Sequence, residues 1–165
     1  MVQSAAESDL KSVFRITAID LDERVEKLNA DVEHERRIAL FDLLEDNYFH
    51  PIGSHGGPYH VILGVEENRL TFEIKLEDDT HHGKIVLSLT PFRKIIKDYF
   101  MVCESYFSAI KTATAQQIEA LDMGRRSLHN EGSELLKQRL AGKVDVDFDT
   151  SRRIFTLICV LHIKG

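Results

Sequence analysis

The sequence predicts an α+β fold, an antiparallel sheet of about four strands covered by a long helix and a C-terminal helical segment. Between positions 59 and 89 three runs alternate apolar and polar residues with short connections, the pattern of a meander with one wet face. From Pro91 the period becomes helical, and Phe92, Ile96, Tyr99, Cys103, Tyr106 and Ile110 share one side. After Thr150 the chain is apolar almost all round, which marks a buried element.

The elements follow in order. Val13 to Ile19 alternates as a first strand, with Phe14, Ile16 and Ala18 on one face. Asn29 or Asp31 caps a helix that runs to Asn47 with Leu40, Leu43 and Leu44 on its apolar stripe. The stretch YFHPIGSHGGP reads as a loop. Val61, Leu63 and Val65, then Leu70, Phe72, Ile74 and Leu76, then Ile85, Leu87 and Leu89 form the inward rows of three strands. Thr90 caps the long helix, and Pro91 sits where its missing N–H does no harm. That helix reaches about Lys111. A second begins near Thr114 and continues to Ala141, weakened by Gly124, Asn130 and Gly132, with a break or kink expected around Asn130. Gly142 stops it. Lys143 to Phe148 alternates as a strand, and Asp149 or Thr150 caps the last element as a helix, with its β-branched content leaving a strand as the alternative.

Length and composition bound the reading. A chain of 165 residues suits one domain with a proper core, expected over 12–165 after a flexible polar N-terminus at 1–11. A charged share of 29% beside a hydrophobic share of 43% is globular rather than disordered. The formal charge of -6 disfavours a nucleic-acid partner. No apolar run has the length of a membrane span, and the N-terminus lacks the apolar region of a signal peptide. Cys103 and Cys159 lie in apolar settings and read as reduced thiols, so a cytoplasmic location is expected.

The most unusual feature lies in the second long helix. Ile118, Leu121, Leu128 and Leu135 keep a heptad seam, and Arg125 and Gly132 occupy the remaining seam positions. A charge on a core-facing line needs an anionic partner. Asp122 and Arg126, and Arg125 and His129, are each four apart on the helix. Asp145, Asp147 and Asp149 lead into the last helix, whose first turn is expected to carry Arg152 and Arg153. Cations there are disfavoured unless carboxylates compensate. Two readings follow. In one, Asp122, Asp145, Asp147, Asp149, Arg152 and Arg153 form structural ion pairs. In the other, Arg125, Arg126 and His129 line a cleft for a small anionic ligand, a phosphate or carboxylate. No nucleophile accompanies them, so no catalytic residue is assigned.

Other candidates carry less. His50, His55, His60, His81 and His82 read as solvated loop histidines, without partners at zinc-ligand spacing. Asp145, Asp147 and Asp149 begin like a calcium loop, but Thr150 and Thr156 stand where the glycine and the final carboxylate belong. Neither a metal nor a cofactor is expected. The broad apolar arc of the Pro91 helix points to a homodimer.

The segments EHERRIALFDLLEDN, GPYH, FRKIIKDYFMVCESYFSAI, IEALDMGRRSLHNEGSELLKQRL and DFDTSRRIFTLICVLH together resemble a bacterial family known as uncharacterised protein family 0262. The resemblance runs from about Ile16 onward and is weakest at the N-terminus and in the EDDTHHG loop. It implies a small cytoplasmic bacterial protein and no particular activity. A non-enzymatic binding or assembly protein is the first functional expectation. A protein or enzyme using the Arg/His cluster on an anionic small molecule is the second.

Overall fold

A computed structural model describes residues 13–22 and 30–161. The expected flexible N-terminus and Asn29 lie outside the described residues. In chain order the elements are β1 (Ile16–Asp22), α1 (Ala30–Glu45), β2 (Phe49–Pro51), β3 (Tyr59–Glu66), β4 (Arg69–Leu76) and β5 (His81–Ser88). A short 3₁₀ turn (Thr90–Phe92) then leads into α2 (Arg93–Thr112), α3 (Ala115–Leu140), β6 (Val144–Val146) and α4 (Phe148–Leu161).

The fold is α+β, and its four-stranded sheet has the order β1-β3-β4-β5. β3, β4 and β5 form the antiparallel meander read from the alternation. The β3–β4 turn places Glu67 and Asn68 at positive φ, the two-residue turn whose twist suits a hairpin. Asn68 also clasps the next element: its Nδ2 donates to Thr90 Oγ1 at 2.9 Å, and its Oδ1 accepts from Arg93 Nε at 2.7 Å. Thr90 is therefore bound from the hairpin and does not cap α2 with its side chain.

Three further expectations change. First, β1 pairs parallel with β3, so the sheet is mixed. A parallel partner requires a crossover, and α1 and β2 supply it. Asn47, buried at the end of α1, receives Ile16 N–H on its Oδ1 at 2.7 Å and donates to the carbonyls of Ile16 and Leu43 at 2.9 and 2.7 Å. The amide thus fastens the start of β1 to α1. Second, the glycine-rich loop holds a strand: β2 pairs antiparallel with β6 in a separate ribbon. Third, α3 is one continuous helix with no break at Asn130. Thr114 and Gln117 form a capping box at its start, and Gly142 follows its end at φ +83.

The core sits around α4. Thr150, Ser151, Ile154, Phe155, Leu157, Ile158, Cys159 and Val160 are all buried. α4 touches α1, α3 and β1. α2 buries Ile96, Tyr99 and Cys103 and pairs with α3. At the α3–α4 crossing a β-carbon on Gly132 would lie 2.2–2.6 Å from the Phe155 ring. Glycine is there because the ring occupies the space a side chain would need.

Candidate functional site

Four helices meet around a cleft of about 430 Å³. Glu35, Ile38, Ala39 and Asp42 line it from α1, and Tyr99 from α2. α3 presents Arg125, Arg126 and His129, and α4 presents Asp149, Arg152, Arg153 and Thr156. On α1 the four residues fall at i, i+3, i+4 and i+7, which places them on one helical face.

The seam arginine finds anions on both sides. Arg125 Nη2 donates to Asp122 Oδ1 at 2.6 Å, and its Nη1 stands 3.9 Å from Glu35 Oε1. Its guanidinium also lies 4.7 Å from the centroid of the Tyr106 ring, within cation–π range. Arg125 Nε is buried and has no hydrogen-bond partner among the described residues. Asp122 serves two arginines: its Oδ2 stands 3.2 Å from Arg126 Nε. The bond from Arg125 holds the Asp122 carboxyl below its ordinary range.

His129 is anchored rather than exposed. Its Nε2 lies 2.7 Å from Thr156 Oγ1, and the Thr156 hydroxyl donates to the Arg152 carbonyl at 3.2 Å. The threonine oxygen therefore accepts from His129 Nε2–H. The ring is flanked by Tyr99 and Phe155. Burial, with Arg152 and Arg125 nearby, pulls its pKa down to about 4. Burial pushes Glu35 in the opposite sense, up from the ordinary carboxylate range, with Asp31 adding to the shift and Arg125 opposing it. Burial likewise raises the Tyr99 phenol. The Cys103 thiol is pushed up to about 11, chiefly by burial, which leaves it protonated and unreactive.

The structure thus gathers Arg125, Arg126, His129, Asp149, Arg152 and Arg153 around one space. Asp122 joins them through Arg125 and Arg126, whereas Asp145 and Asp147 stand apart. Asp147 caps α4, its Oδ1 accepting Thr150 N–H at 2.8 Å. Asp145 lies on β6 opposite His50. Among the described residues no ion pair joins Asp145, Asp147 or Asp149 to Arg152 or Arg153. The reason is local: α4 starts at Phe148, before the expected caps, so both arginines stand in its second turn, beyond the strongest part of the helix dipole. Arg153 Nη1 instead donates to the Asp46 carbonyl at 2.9 Å. Arg152 is exposed, and its guanidinium has no hydrogen bond or ion pair among the described residues.

Glu35, Asp42, Tyr99 and Thr156 were not foreseen in the site. For Glu35 and Asp42 the signal was their shared face with Ile38 and Ala39. The histidines are more structured than loop residues: His60, on β3, has Nε2 at 2.6 Å from Asp20 Oδ2 and Nδ1 at 3.4 Å from Asp79 Oδ1. His50, on β2, stacks on Phe14. Among the described residues no cluster of three or more histidines, cysteines or carboxylates is placed to hold a metal, and no helix is long and apolar enough to cross a membrane.

Comparison with known proteins adds ancestry. The profile of an uncharacterised protein family, UPF0262, matches residues 13–164. A UPF0262 protein of Paramagnetospirillum magneticum is 57% identical over 152 residues, 92% of this chain and 97% of its own. UPF0262 proteins of Rhizobium etli and Brucella canis are each 55% identical over 152 residues, 92% of this chain and 97% and 95% of theirs. No solved structure matches. On residues matched and on identity alike, the chain belongs to the uncharacterised bacterial family UPF0262.

Proposed function

We propose that this protein is a non-enzymatic binding protein that takes a small anion, a phosphate or carboxylate, in the four-helix cleft. One observation carries the reading: Arg152 lines the cleft with its guanidinium unbound among the described residues, while the neighbouring arginines are already held by Asp122 or by the Asp46 carbonyl. A planar guanidinium offers paired donors to an oxyanion. The cleft is also of metabolite size. His129 is neutral and bound to Thr156, so its place is to shape the wall rather than to move protons. The cytoplasm suits the chain, because both cysteines are buried and free.

Thermal unfolding with inorganic phosphate and with butanoate tests the reading. Saturation at a hundred times Kd raises stability by about 2.7 kcal/mol, a shift of several degrees for a domain of this size. Arg152→Ala should lose that shift while its ligand-free Tm stays within about a degree, since surface changes cost little. No shift in the wild type, or an equal shift in the variant, overturns the proposal.

A homodimer is a second reading. Gly124 faces Val102 across the α2–α3 hairpin, and at that level Met101 and Met123 remain exposed. Sedimentation at rising concentration decides it: a constant monomer mass rules it out.

A further inference from the structure

We propose that the ligand of this cleft is dipolar, carrying a carboxylate or phosphate at one end and an ammonium or comparable cation at the other. The inference rests on the anion-binding reading above and names what the α1 side of the cleft takes. α1 lines that wall with two carboxylates, Glu35 and Asp42. Neither has a hydrogen-bond donor on its side-chain oxygens among the described residues. Among the described residues the ion-pair contact of Glu35 is with Arg125 at 3.9 Å, beyond hydrogen-bond reach, and that guanidinium is already bound to Asp122 at 2.6 Å. Arg152 lines the same cleft from α4 and has no acceptor among the described residues. The two walls do not satisfy each other, because no ion pair joins Arg152 to Glu35 or Asp42.

Glu35 and Asp42 are half-buried carboxylates that face the cleft without a donor among the described residues, which is costly unless something brings their complement, and the exposed Arg152 on the same cleft is open to the opposite charge. A ligand that is only an anion would satisfy Arg152 and leave its own charge facing the carboxylates of α1. A ligand that is only a cation would meet the arginines. A molecule with one charge of each sign answers both walls in one orientation, and like-charge contact disfavours the reverse.

Matched probes that differ only in the ammonium test this: phosphoethanolamine against ethyl phosphate, and 4-aminobutanoate against butanoate, each by titration calorimetry. In the wild type the ammonium-bearing member of at least one pair should bind about tenfold or more tightly. Glu35→Gln or Asp42→Asn should erase that ratio and leave ethyl phosphate and butanoate binding as before or better. Arg152→Ala should weaken both members of a pair. Thermal unfolding of all three variants checks that they are folded. Equal affinities within each pair in the wild type overturn the dipolar ligand while the anion site stands. A ratio unchanged both in Glu35→Gln and in Asp42→Asn overturns the role of the α1 wall. No binding by any of the four probes removes the anion site and this inference together.

Discussion

At position 132 the missing side chain is what lets α3 and α4 meet. Replacing a helical glycine with alanine ordinarily gains about 1 kcal/mol of helix propensity. Here the new β-carbon falls 2.2–2.6 Å from the Phe155 ring, and overpacking of that kind costs about 1–3 kcal/mol. The steric term wins, so Gly132→Ala should lower Tm. Gly132→Ala combined with Phe155→Leu should recover part of the loss if the clash is the cause; a single variant as stable as the wild type refutes the account. Sequence reading marks Gly132 as a seam position and also counts it as a weak point in the helix. Only the second part fails, because the pattern on α3 says nothing about which residue of α4 arrives opposite. Arg125 follows the same rule. Its need for an anion is legible, and so is Asp122 in the turn before it. Glu35 approaches from α1, and no local spacing announces that meeting.

Among the elements, α4 shows how a boundary decides chemistry. Asp147 accepts the Thr150 N–H, and α4 starts at Phe148. Asp147→Ala should therefore cost about 1 kcal/mol in chemical denaturation, with Asp147→Ser close to wild type. A loss equally large in both would mean that the carboxylate pairs with a cation rather than capping. With this start, Asp149 stands in the first turn and Arg152 and Arg153 in the second, so the helix tolerates both arginines without an internal ion pair. The meander, the three long helices and the stop at Gly142 were all legible from period and turn chemistry. β2 was not, being three residues long with a proline at its end. The pairing of β1 was not either, since alternation tells which face is buried and is silent on which strand lies alongside.

For the molecule as a whole, acid is the informative stress. His129 has a folded-state pKa of about 4 against 6.5 in the unfolded chain. Between those values the unfolded chain binds more protons, so stability falls as pH drops through the window. For this one group the loss from pH 7 to pH 5 is about 2 kcal/mol. The raised Glu35 carboxyl acts with the opposite sign, adding stability as pH falls through its shifted value. Urea titrations at the two pH values should show the loss, and His129→Gln should reduce it. An imidazole NMR signal from His129 that titrates near pH 6.5 would contradict the burial argument. The parallel register of β1 on β3 reaches further still, into biosynthesis. As the ribosome delivers the chain, the first strand emerges without a mate and waits through α1 and β2 until Tyr59 and its successors appear. The hairpins are joined by local turns, whereas β1 reaches β3 only through a crossover, so contact order makes its pairing the slower step. Until then its unsatisfied edge is what a chaperone would have to shield.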